Sequence, residues 1–317
     1  MDRQRREWTL QACKQVQAAQ GFIQGDWMEQ GKYTVASRRQ SAARWFALAL
    51  LAVAAAGCSH DATRQARPEP IARIPFSVDE TGLPTFGAQV DGASVRLFID
   101  TGGYKPIALK QDVIRRLGLS YDNGSSGAND AQGRAYTTRP FTATNFRAGS
   151  LALSPAHGAD LPDLGTHAYP QDGYLGYGVL KNHVLVIDYA RGELLMYAPT
   201  AGSAILAHEC GGKTFDFEIR NAVIQATVET NVGPRIFQFD TGANRNIVRS
   251  AFTTAATQGM QAEVTFKRFR LGNAKLGPIS FRVIPYRAPD VDGVLGREFF
   301  AAHRVCLDLD AGKGAIR

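Results

Sequence analysis

One stretch of this chain is written twice at a fixed spacing, and that limits what it can fold into. Residues 172–188 and 292–308 align at a constant offset of 120, with six of the 17 positions identical. Asp172-Gly173-Tyr174-Leu175-Gly176 matches Asp292-Gly293-Val294-Leu295-Gly296, His183 matches His303, and Val186-Ile187-Asp188 matches Cys306-Leu307-Asp308. Upstream, Leu97-Phe98-Ile99-Asp100-Thr101-Gly102-Gly103 has its counterpart in Phe237-Gln238-Phe239-Asp240-Thr241-Gly242-Ala243. Such self-similarity calls for an architecture assembled from two copies of one supersecondary plan.

The plan reads as strands. Alternating apolar segments open each copy, at 74–78 and 86–90 in the first and at 215–219 and 223–228 in the second. A turn with Gly92 or Gly233 then precedes the strand that carries the Asp. A short helix is expected next, over 109–117 ending at Gly118 and over 250–258 ending at Gly259, since glycine commonly follows a helix C-terminus. Further strands lead to the Asp-Gly-x-Leu-Gly motif, and a pair over 184–189 and 193–197 closes the first copy. With 32 Gly and 14 Pro the chain has the turns an all-β fold requires. Residues 199–212, containing Pro199-Thr200-Ala201-Gly202-Ser203 and Gly211-Gly212, read as a linker between a first lobe at 73–198 and a second at 213–317.

Residues 1–58 read as an address. Trp45 to Gly57 is an apolar and small-residue run behind Arg38, Arg39 and Arg44, the layout of a secretory signal. Thirteen residues are too few to span a bilayer core, which needs about 20. The run ends Ala55-Ala56-Gly57-Cys58, which resembles the lipobox of bacterial lipoproteins, with Ala55 where Leu is usual. On that reading Cys58 is acylated and becomes the mature N-terminus. Plain secretion with another cleavage point, or a buried helix, are the other readings. Ser37-Arg38-Arg39 is similar to a twin-arginine signal but lacks the apolar residue that follows one. Met28 would open a signal of conventional length, which leaves Cys13 without a role. Residues 59–72 are polar and contain proline, as a tether between membrane and domain does.

Charge excludes one class of partner. The chain carries +7, but +4 of it lies in residues 1–58 and +3 in the rest. The body has no basic stripe interleaved with aromatics, so no nucleic-acid partner is expected. Six scattered His and four Cys show no metal-ligand spacing and no C-x-x-C, so no zinc site is expected.

The twinned Asp-Thr-Gly turns, each preceded by an apolar strand and followed downstream by apolar-Leu-Gly, resemble those of the retropepsin-like aspartic proteases. The resemblance covers residues 74–317. It implies two β-barrel lobes forming an internal pseudo-dimer, with one catalytic dyad, Asp100 and Asp240, at their interface and no partner subunit, metal or organic cofactor required. Pairing of each copy with its twin on a second chain is the alternative. Two carboxyls about 3 Å apart cannot both ionise, so the pair holds one proton between them. One carboxylate then activates a shared water and the other, protonated, donates to the peptide carbonyl. In the family Thr101 and Thr241 would hydrogen-bond across the interface, Gly102 and Gly242 would let the loops turn beside the dyad, and the apolar-Leu-Gly segments would pass beneath them.

The copies differ in length: Asp100 and Gly176 stand 76 positions apart, Asp240 and Gly296 stand 56. The excess lies largely in 121–139. In the family this stretch is a mobile hairpin over the substrate, so a flap is expected over 124–138, with Gly133 and Tyr136 as candidate contacts, and little or none in the second lobe. An ordinary surface loop is the plainer reading. Gly103 stands where the family has Ala or Ser, which would remove a side chain near the dyad and loosen that turn. Positions 103 and 243 offer no hydroxyl, so a dyad active in the mildly acidic range is expected. Asp188, Asp308, His183 and His303 read as structural, Tyr189 and Tyr197 as core aromatics. A Cys210–Cys306 bridge is left open, because sequence does not fix its geometry.

The resulting expectation is a lipid-anchored aspartic endopeptidase at the periplasmic face of a bacterial membrane, with Ser59 resembling outer-membrane sorting and an extended polypeptide as substrate. A non-catalytic peptide-binding lipoprotein on the same fold is the alternative. A glycosidase is a third chemistry for two carboxylates, though it has no need of symmetric ones.

Overall fold

The computed structural model describes residues 68–129, 135–161, 170–250, 263–285 and 290–317. Cys58, Gly133 and the helix expected over 250–258 lie wholly or largely outside them. The fold is all-β, built from two nine-stranded sheets of the same strand order and a six-stranded sheet that joins them.

In the first half Pro84–Val90 and Ala93–Asp100 form a hairpin through Asp91 and Gly92, both at positive φ (48° and 84°). This is the two-residue turn whose twist matches that of paired strands. Alternate residues of Pro84–Val90 face the core. The buried strand Gly173–Gly176 lies parallel to Ala93–Asp100, with Gly176 opposite Asp100, and antiparallel to Ile107–Lys110. Ala156–Leu161 and Pro140–Ala143 extend the sheet on one side, and Phe146–Ala148 and Leu151–Leu153 on the other.

The second half repeats this order strand for strand. Gly233–Phe239 takes the place of Ala93–Asp100, Val223–Thr230 that of Pro84–Val90, and Gly293–Leu295 that of Gly173–Gly176, again parallel to the Asp-bearing strand. Its core is more aromatic. Phe237, Phe266, Phe269 and Phe281 pack with ring centroids 5.0–6.3 Å apart and are all buried.

The joining sheet takes three strands from each half, in the order Ala72–Pro75, Glu193–Tyr197, Val184–Asp188, Val305–Asp308, Lys313–Ile316, Lys213–Asp216. At its centre Val186 pairs with Cys306 in antiparallel register. These two residues are repeat equivalents, so a local twofold axis passes between them. Val184–Asp188 is buried along its whole length, which explains why it reads as a continuous apolar run rather than an alternating one.

The segment expected as a linker has structure of its own. Pro199–Ala201 is a 3₁₀ turn and Gly202–Cys210 an α-helix. Ile205, Leu206 and Cys210 pack on Val184, Val186, Leu195 and Cys306 of the joining sheet, and a Cys210–Cys306 disulfide fastens the helix there. The Gly-Gly and Pro signals at the ends of this stretch obscured the apolar positions between them. The first expected helix starts two residues late, at Gln111–Arg116, because Ile107–Lys110 is drawn into the sheet. The repeat-equivalent Asp188 and Asp308 accept backbone N–H groups three residues on, from Arg191 and Ala311, as structural turn residues do.

Candidate active site

Asp100 and Asp240 stand at the ends of equivalent central strands and are brought together at the junction of the two halves. Both loops are held from below in the same way. Asp172 accepts the Arg96 N–H on Oδ2 (2.8 Å) and donates its own N–H to the Arg96 carbonyl (2.7 Å); Asp292 does the same with Ile236 at 2.8 and 2.7 Å. The Tyr177 N–H donates to the Gly103 carbonyl (2.7 Å), and Arg297 to Ala243 (2.9 Å). The roles of Asp172 and Asp292 were not read from the sequence. Their identity at the fixed offset was the available signal, but only the fold reveals that each anchors the neighbouring Asp-bearing strand.

The two halves are locked by a reciprocal set of four hydrogen bonds. The Thr101 N–H donates to Thr241 Oγ1 and the Thr241 N–H to Thr101 Oγ1, both at 3.0 Å. The Thr101 hydroxyl donates to the Phe239 carbonyl (2.9 Å) and the Thr241 hydroxyl to the Ile99 carbonyl (2.8 Å). Both threonines are fully buried, so each bond satisfies a group that water cannot reach.

Gly102 and Gly242 form the walls of the site. A Cβ on Gly102 would lie 2.5–2.7 Å from the Asp240 carboxyl, and one on Gly242 2.5–3.0 Å from that of Asp100. Each half's glycine therefore lies against the other half's carboxyl, and no larger residue fits without displacing it. The Gly102 and Gly103 N–H groups donate to Asp100 Oδ1 (3.0 and 2.8 Å), and the Gly242 N–H donates to Asp240 Oδ1 (2.8 Å).

Burial raises the Asp100 carboxyl well above the ordinary 3.8, the negative field of Asp240 raises it further, and the two N–H donors oppose the shift. Burial likewise raises Asp240, opposed by hydrogen bonds from the backbone and from Asp100. Two carboxyls that face each other and are both pushed toward the neutral form by burial favour holding one proton between them.

The surroundings of the pair are unequal. Tyr174, beside Phe98 on the face that carries Asp100, is buried and packs against the Phe98 ring at 5.8 Å. Its phenol lies within electrostatic reach of Asp100, Tyr104 and Tyr136, and burial pushes it well above its ordinary pKa. A Cβ on Gly103 would lie 2.5 Å from Tyr174 Cε2 and 2.8 Å from Asp100 Oδ2. The expectation that Gly103 loosens the turn is thus corrected: the tyrosine ring occupies the space a side chain would take, and the Gly103 N–H is fastened to Asp100. The matching residues of the second half are Gln238, Val294 and Ala243.

Part of the expected flap is described. Ser126–Asn129 pairs antiparallel with Ala135–Thr138 in a hairpin of its own sheet, Ser126 opposite Thr138 and Ala128 opposite Tyr136. Lys105, in the loop after Asp100, donates from Nζ to Ser126 Oγ (2.6 Å). At the hairpin's base the Arg139 N–H donates to the buried Asp160 (2.7 Å), and its guanidinium lies 3.7 Å from the Tyr121 ring centroid. Among the described residues no cluster of three or more His, Cys, Asp or Glu could hold a metal ion, and no helix is long and apolar enough to cross a membrane.

No protein-family model matches the chain, and no curated protein matches it.

Proposed function

We propose that the protein is an aspartic endopeptidase of the retropepsin-like kind, with both halves of the dyad on one chain. The observation that carries this reading is the pairing of two half-buried carboxyls across a local twofold, each loop locked to the other by the Thr101 and Thr241 hydrogen bonds. Glycoside cleavage requires no such symmetry.

The chemistry follows from one proton shared by two carboxyls. The ionised member accepts a proton from a water held between them as the water oxygen bonds to the peptide carbonyl carbon. The protonated member gives its proton to the carbonyl oxygen, forming a neutral tetrahedral diol. In the second step the carboxyl that gained a proton passes it to the amide nitrogen and the C–N bond breaks. A diol proton returns to the other carboxylate as the new acid carbonyl forms. The dyad ends singly protonated, as it began. The backbone donors of Gly102, Gly103 and Gly242 keep the oxygens oriented throughout.

The substrate is an extended polypeptide, bound by strand-like hydrogen bonds beneath the 126–138 hairpin. The signal-like run ending at Cys58 supports lipid anchoring at the periplasmic face of a bacterial membrane. The test is incubation of the purified protein with casein at mildly acidic pH. Cleavage that is blocked by a statine-type inhibitor and absent from Asp240→Asn supports the reading, and intact casein sinks it.

A further inference from the structure

The unequal walls of the dyad carry a statement about which peptide bonds the site accepts, and it rests on the proteolytic reading above. In the second half the positions after the Asp-Thr-Gly turn and beside the Asp-bearing strand hold Ala243 and Val294. In the first half they hold Gly103 and Tyr174. The exchange is coupled: the tyrosine ring edge lies where the Cβ of an alanine at 103 would stand, and that point is 2.8 Å from an Asp100 oxygen. The ring is fixed there. Tyr174 packs on Phe98 and lies with Leu83 and Ala108 in a small buried cluster apart from the main core. Tyr104, its hydroxyl close to Thr138, crowds the same side, with Tyr136 on the hairpin near it.

A peptide lying across the dyad places the side chains flanking the scissile bond against these two walls in turn. One wall has lost a methyl group and gained a phenol; the other keeps two small aliphatic side chains. We propose that Tyr174 is a specificity-determining residue: the site accepts a small residue on the side of the scissile bond that lies over the first half and a larger apolar one on the side over the second. One missing or added methylene in such a wall shifts discrimination by about tenfold or more, and a whole ring is at stake here.

The experiment maps cleavage of a random peptide library by mass spectrometry, using the full chain and the double variant Gly103→Ala/Tyr174→Val, which copies the second half's pair into the first. In the unmodified protein one flanking position should be confined to Gly, Ala and Ser, and the other should favour Leu, Ile, Met or Phe. The double variant should admit bulky residues at the confined position with kcat/KM raised by about tenfold or more, the other position being unchanged. Tyr174→Phe, which keeps the ring, should keep the restriction. If the double variant does not fold, Tyr174→Leu provides the opening instead. Bulky residues accepted on both sides by the unmodified protein, or a restriction that survives removal of the ring, would overturn the proposal.

A melting-temperature cycle separates this outcome from failure of the proteolytic reading. Gly103→Ala alone should lower the melting temperature by about 2–6 °C through overpacking, and adding Tyr174→Val should restore it. With that coupling present, a library left wholly uncut overturns the protease assignment, and the specificity with it. Absence of the coupling overturns the packing on which the specificity rests.

Discussion

The two halves share a strand order and a loop geometry yet differ wherever a substrate or the outside of the molecule is concerned. Both place an Asp at the end of the same central strand, both hold that strand with an Asp from the glycine motif, and both offer a threonine to the other. Only the first carries the 126–138 hairpin, within described residues, and the Gly103–Tyr174 exchange. The second supplies Cys306, to which the connecting helix is fastened through Cys210, and it fills its core with closely packed phenylalanines. What the two halves share is the strand order and the loop geometry that brings their carboxyls together; the hairpin, the Gly103–Tyr174 exchange and the core packing differ.

The strongest way to break that symmetry argument is at the carboxyls. Asp100→Asn and Asp240→Asn should each reduce peptide cleavage by about 10⁴-fold, and the double variant should be little worse, because the two groups act as one unit. Substantial turnover in one single variant, measured on the same peptide, would show that its half contributes nothing to the chemistry. The threonine lock comes next. Thr101→Val keeps the shape but strands the Phe239 carbonyl and the Thr241 N–H, and Thr241→Val does the mirror image. Each should cost about 2–5 kcal/mol in denaturant unfolding. A large cost from one and none from the other would mean that the lock is not reciprocal.

The disulfide sharpens the comparison from the other direction, since it ties the connecting helix to a strand of the second half. It closes a separation of 96 residues between the helix and the joining sheet. Cys210→Ala/Cys306→Ala should lower stability by about 2–4 kcal/mol while leaving the dyad's pH dependence in place. A change in the pH profile would reveal coupling between the helix and the site. The smallest effect concerns the dyad's own cost. Both carboxyls lie above the 3.8 of an unfolded Asp, so the folded state binds more protons and stability declines as pH rises from that value through the folded range. Asp240→Asn should therefore be more stable than the parent at pH 7, with the gain vanishing as pH falls below the unfolded value. Equal stability at both ends would deny that Asp240 titrates as a buried, coupled group.

Much of this was legible in the sequence because it is local and repeated. The Asp-Thr-Gly turns, the strand before each, and the extra length around 121–139 are read from spacing and alternation, while the hairpin there is what the family resemblance implies. Other features were hidden for physical reasons. Helix 202–210 has apolar residues, but glycines at both its edges gave it the look of a linker, and only the joining sheet beneath it explains why it folds. Gly103 looked like a loss because its compensating partner, Tyr174, stands 71 positions away and meets it only through parallel pairing of two strands. Asp172 and Asp292 were visible as a repeat but silent as to role, since a carboxylate that accepts a neighbouring strand's N–H leaves no local pattern.

The most direct test of the shared proton is the pH dependence of kcat/KM for a single peptide. The profile should be a bell with two limbs, one for losing the shared proton and one for gaining a second, centred at roughly pH 4–6.5. Neither Gly103 nor Ala243 offers the carboxylates a hydroxyl, so Ala243→Ser should move the acidic limb downward. A profile with one limb, or an optimum below about pH 3, the range reached by the lower pepsin pKa, would contradict two half-buried carboxyls raised together and sharing one proton.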